Sequence, residues 1–124
     1  MSKKTSIGTV ALIATTLVGI VIAYAHPEFK SAEPATGAVV AASPKQIRII
    51  FNESLIPQFS GVDLKDQTGK TIATGKAATD PANKKLLVVP IMEQLPPGEY
   101  KVEWHAVSDD THRVKGGYSF SVAP

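Results

Sequence analysis

A chain of 124 residues without a single cysteine has neither a disulfide framework nor a thiolate metal site open to it, so its stability must come from an apolar core. Of its 13 Lys and Arg, Lys3 and Lys4 account for the formal charge of +2, and the remaining 11 balance 11 Asp and Glu. No basic stripe is left to neutralise phosphates, and nucleic-acid binding has no electrostatic support.

In chain order, residues 1–25 read as a secretory signal rather than part of a domain. Lys3 and Lys4 form its basic start, an uncharged and largely apolar run covers 7–22, and Ala23-Tyr24-Ala25 sets small residues at the last and third-last positions before a cleavage point. The rival is an uncleaved anchor, since the run is near the ~17 residues that just span a bilayer. The small-x-small pattern, with no basic residues directly after it, favours cleavage. The mature chain is expected to run over 26–124; removing 25 residues from 124 leaves 99, enough for one small domain and too few for two.

From His26 onward, short β-prone runs alternate with Gly, Pro, Asn and Asp punctuation, and no heptad or internal repeat interrupts them. A first strand is predicted over 29–32, closed by the turn Pro34-Ala35-Thr36-Gly37. In 46–51, Ile47, Ile49 and Phe51 share one face while Gln46, Arg48 and Ile50 share the other. The runs 62–65 and 70–74 flank Asp66-Gln67-Thr68-Gly69 as a hairpin, Lys84 and Lys85 read as a solvated turn, and 86–89 is a short apolar strand.

The segment Leu95-Pro96-Pro97-Gly98-Glu99-Tyr100 introduces the longest strand, with Tyr100, Val102, Trp104 and Ala106 facing the core. It resembles the tyrosine corner of immunoglobulin-like sandwiches. A last strand over 116–122 turns Tyr118, Phe120 and Val122 inward. About seven strands in 99 residues predict an all-β, immunoglobulin-like Greek-key sandwich or barrel.

The chemistry gathers at three residues. Once cleavage exposes it, an N-terminal histidine offers its α-amine and Nδ1 in one chelate ring; in the precursor the same nitrogen is a peptide amide and a poor ligand. Pro27 has no backbone N–H that a copper ion could deprotonate, so further donors must come from elsewhere in the fold. Asp110-Thr111-His112 supplies a carboxylate and an imidazole at an i, i+2 spacing, which on extended backbone would share one face. Asp109 is the rival carboxylate. Three nitrogens and one oxygen suit the tetragonal preference of Cu(II); zinc accepts two imidazoles and a carboxylate but prefers a tetrahedron. His105, beside Trp104, points to the opposite face and reads as an ordinary surface side chain.

With these residues in place, the mature chain resembles the CopC-type periplasmic copper-binding proteins along nearly its whole length. The resemblance runs in order through His26-Pro27, Phe51-Asn52-Glu53, Gln58-Phe59-Ser60-Gly61, Pro97-Gly98-Glu99-Tyr100 with Trp104, Val107-Ser108-Asp109-Asp110-Thr111-His112 and Gly117-Tyr118-Ser119-Phe120. Its most specific part is the Ser-x-Asp-x-His run after the tryptophan. It implies one Cu(II) per chain, bound by His26 through amine and imidazole and by Asp110 and His112, with Glu53 beside the metal as an outer or weak axial group. It also implies a periplasmic location and an inner-membrane copper transport protein as partner. Some members carry a second, methionine-rich Cu(I) site; residues 64–75 here contain no methionine, and Met92 reads as core or rim packing.

Three functions follow as expectations. The first is a non-catalytic, monomeric copper carrier or buffer in copper tolerance or uptake. The second is a copper monooxygenase with a histidine brace, which the short chain disfavours because little surface is left for a flat polysaccharide. The third is a structural immunoglobulin-like module, which explains the fold but not His26 together with Asp110 and His112.

Overall fold

The computed structural model describes residues 26–124; the predicted signal, 1–25, lies outside the described residues. Nine strands form two facing sheets. In chain order they are β1 (Phe29–Glu33), β2 (Val39–Val40), β3 (Gln46–Phe51), β4 (Gly61–Asp66), β5 (Thr71–Ile72), β6 (Ala78–Asp80), β7 (Asn83–Pro90), β8 (Gly98–Val107) and β9 (Arg113–Val122). One sheet has the order β1-β3-β7-β6 and the other β2-β9-β8-β4-β5. All pairings are antiparallel except β2 beside the end of β9. A 3-10 turn, Pro57–Phe59, crosses from β3 to β4 and so from one sheet to the other.

The alternation read from the sequence builds the core. Ile47, Ile49 and Phe51 of β3 are sealed from solvent, while Ile50, between them, is exposed. They meet Leu64 of β4, Val102, Trp104 and Ala106 of β8, and Tyr118, Phe120 and Val122 of β9 across the sandwich. Each fully buried Ile, Leu, Val or Phe among them contributes roughly 1.5–3 kcal/mol by leaving water. Tyr100 donates its hydroxyl to the carbonyl of Pro96 (2.5 Å), so the expected tyrosine corner forms. Asp66 closes the β4–β5 hairpin by accepting from the backbone N–H groups of Thr68 and Lys70 at 2.9 and 3.0 Å.

Several boundaries differ from the sequence reading. Among the described residues there are nine strands rather than about seven, because β2 and β6 were not anticipated. Lys84 and Lys85 are exposed, but they lie on β7 rather than in a turn; the turn is 81–82. β9 begins at Arg113 instead of 116, because Arg113 pairs with Val107 and zips the hairpin up to its loop.

Trp104 organises the end of the sandwich that matters most. Its indole lies across Gly116, directly opposite on β9, where a Cβ would overlap the ring. The other face of the cluster is aromatic: Phe29 stacks on the indole at 6.0 Å between centroids, and Phe51 meets it edge-on at 5.1 Å. Phe29 opens β1, three residues after His26, so the packing that buries Trp104 also anchors the N-terminal arm.

Candidate metal centre

Three segments converge at one end of the sandwich: the arm leading into β1, the loop after β3, and the β8–β9 connection. The loop after β3 stitches the other two together. Asn52 takes the Glu28 N–H on its side-chain oxygen (2.6 Å) and gives its own N–H to the Glu28 carbonyl (3.1 Å). Two residues later the Ser54 carbonyl accepts the Asp109 N–H (3.1 Å), and Leu55 forms an isolated bridge with Ser108. Pro27 is fully buried beneath the arm, while His26 stays at the surface.

The β8–β9 connection is a closed turn, not the extended segment expected from the i, i+2 spacing. Ser108 donates its N–H to the His112 carbonyl (3.1 Å), and Thr111 donates its N–H to the Ser108 carbonyl (2.8 Å). Thr111 sits at φ 69°, a left-handed conformation that a β-branched residue adopts at a cost of order 1–3 kcal/mol. The two predicted side chains nevertheless meet. Asp110 Oδ2 lies 3.0 Å from His112 Nδ1. They face each other because the left-handed residue between them folds the backbone back, not because of strand alternation.

The other oxygen of Asp110 is committed to the turn. Oδ1 accepts the Ser108 hydroxyl in a short hydrogen bond and lies 3.3 Å from the His112 N–H. The Ser108 hydroxyl first, and the His112 side chain second, hold the Asp110 carboxyl down at about 2, so the group is anionic throughout the physiological range. Ser108 itself is 2% exposed. The sequence reading included this serine only as part of a motif; a hydroxyl two residues before the carboxylate was the available signal.

His26 completes the approach. Its ring stands 5.1 Å from that of His112, centroid to centroid, with 66° between the planes. Among the described residues no group of three or more His, Asp or Glu side chains forms a ready-made metal cage. The arrangement is a carboxylate–imidazole pair with a second imidazole against it. The 3.0 Å between Oδ2 and Nδ1 is a hydrogen-bonding separation, so a carboxylate oxygen and an imidazole nitrogen stand side by side at the surface.

The remaining candidates fall outside this group. Glu53 lies in the stitching loop, half-buried, and no hydrogen bond or ion pair fixes its carboxylate among the described residues. The Asp109 side chain is exposed. His105 is exposed on the outer face of the larger sheet, with its ring over Gly61. Met92 is 65% exposed, with its sulfur beside Gly75, which places it on the rim and not in the core. Among the described residues no helix is long and apolar enough to cross a membrane.

Residues 29–123 match the CopC domain. The chain belongs to the CopC family. Protein YobA of Escherichia coli K12 is 38% identical over 112 residues, covering 90% of each chain. Among solved structures, CopC from Methylosinus trichosporium OB3b superposes with a TM-score of 0.74 at 31% identity, over 80% of this chain and 95% of that one. PcoC, a methionine-rich copper resistance protein from Escherichia coli, gives 0.70 at 40% identity, over 79% and 99%. The family is one of copper-handling proteins built on this β-sandwich, and a copper ion is the partner it implies.

Proposed function

We propose that the chain is a non-catalytic Cu(II) carrier or buffer that works in the periplasm once residues 1–25 are removed. It binds one ion through the α-amine and imidazole of His26, the Asp110 carboxylate and the His112 imidazole. The observation that carries this reading is the Asp110–His112 pair at 3.0 Å with the His26 ring against it. Three nitrogens and one oxygen match the tetragonal preference of Cu(II), and Asp110 is already anionic.

The four donors lie on two segments that the loop after β3 holds together, so little ordering is left for the ion to impose. The ion is cargo: it enters at an exposed edge, and an inner-membrane copper transport protein is the partner with which it is exchanged. Family relatives named for copper resistance support the copper assignment.

The deciding experiment is a Cu(II) titration, followed by electron paramagnetic resonance, of protein beginning at His26 and of protein carrying one extra residue before it. The native start should give one tetragonal, nitrogen-rich site per chain, and the extended form should lose it. Equal binding by both would remove His26 from the ligand set and reject the reading.

A further inference from the structure

We propose that Ser108 is a positioning residue that holds Asp110 as a one-oxygen ligand. The inference rests on the reading of Asp110 as a ligand and adds how its carboxylate is presented. A carboxylate on an exposed turn can rotate freely, offering either oxygen to an ion or both together; two-oxygen binding suits large, hard cations such as calcium. Cu(II) in a tetragonal field takes one donor per corner.

Here that freedom is removed. Oδ1 is occupied by the Ser108 hydroxyl and faces the His112 N–H, which leaves Oδ2 as the oxygen turned toward the His112 ring. The hydroxyl can impose this because its own residue is buried and bonded on both sides of its backbone. Ser108 is 2% exposed, its N–H is bonded to the His112 carbonyl, its carbonyl receives the Thr111 N–H, and its backbone bridges to Leu55. The latch thus ties the exposed carboxylate to the framework of the sandwich, which is how a hydrogen-bonding partner behind a ligand raises affinity without touching the ion.

The test compares Ser108→Ala and Asp110→Ala in protein beginning at His26. Cu(II) affinity is measured by competition with a chromophoric chelator, the copper spectrum by electron paramagnetic resonance, and the fold by melting of the metal-free protein. Ser108→Ala should bind Cu(II) about 10–100-fold more weakly, with a changed copper hyperfine splitting and a metal-free melting curve close to the parent's. If Ser108→Ala binds with parental affinity and spectrum while Asp110→Ala loses the site, Ser108 has no positioning role and the ligand assignment stands. If Asp110→Ala itself binds as the parent does, the ligand assignment fails and this inference fails with it. A crystal structure of the Cu(II)-loaded parent decides the matter without any substitution. Asp110 bound through Oδ2, with Oδ1 still on Ser108, supports the latch; a two-oxygen carboxylate, or Oδ1 on the metal, overturns it.

Discussion

Asp110 Oδ2 lies 3.0 Å from His112 Nδ1, whereas the adjacent Asp109, among the described residues, is tied into the fold through its backbone N–H, which reaches the Ser54 carbonyl, and not through its side chain. The two neighbouring carboxylates, equivalent in composition, are therefore unequal in what they can do. Asp109→Asn should leave Cu(II) affinity within about fivefold of the parent, since the attraction between two solvent-exposed charges is worth only about 0–1 kcal/mol. Asp110→Asn should weaken binding at least tenfold by removing a charged donor. Competition titrations of the two variants, side by side, check the distinction; the reverse order would make Asp109 the ligand.

Gly116 has no side chain because Trp104 needs the space. Gly116→Ala would place a methyl group inside the indole, forcing the ring or the strand to move, and overpacking of this kind costs about 1–3 kcal/mol. In a domain of this size each kcal/mol corresponds to roughly 4–8 °C in Tm. A fall of about 4–24 °C on thermal melting is expected, accompanied by a shift in tryptophan emission as the ring leaves its contacts with Phe29 and Phe51. An unchanged Tm would mean that the indole is not held across the glycine.

The central strands were legible because their own side chains specify their faces: Ile47, Ile49 and Phe51 on β3, and Tyr100, Val102, Trp104 and Ala106 on β8, alternate as a half-buried strand requires. The missed strands carry no such pattern. β2 is two valines, one of them 70% exposed, that pair only because β9 offers a free edge; β6 is Ala-Thr-Asp, defined by its partner β7. At the site, residue types were legible and backbone was not. Nothing in a threonine between aspartate and histidine announces φ 69°, a conformation usually signalled by glycine or asparagine. The family resemblance grouped His26 with His112, but residue spacing alone could not, since that approach depends on Asn52 and Ser54 joining two segments far apart in the chain.

Tyr118 is 7% exposed, and its hydroxyl finds no hydrogen-bond partner among the described residues. Burial pushes its phenol well above the usual tyrosine range, so it is neutral throughout the physiological range. A buried donor left without a partner costs about 1–3 kcal/mol. Tyr118→Phe keeps the ring against Phe29 while deleting that liability, and it should be neutral or stabilising by up to about 3 kcal/mol in urea denaturation. A loss of more than about 1 kcal/mol would reveal a partner for the hydroxyl, such as a buried water.

Asp66 links the β4–β5 turn to pH. The Thr68 hydroxyl at 2.6 Å is the main cause that holds its carboxyl below the ordinary value, and the backbone N–H groups of Lys70 and Thr68 add to it. A carboxyl whose folded pKa is depressed contributes stability that is present above its unfolded value, about 3.9, and lost as pH falls through the folded value. Thr68→Val removes the hydroxyl while preserving shape. Carbon-detected titration of the Asp66 carboxyl should then show its pKa rising toward the ordinary range. The Tm of parent and variant should differ most between about pH 5 and 7, and the gap should shrink from about pH 4 downward and close only below the depressed folded value, as protonation dissolves the interaction in the parent too. A gap in Tm that stays constant down to low pH would assign the effect of Thr68 to packing and not to its bond with the carboxylate.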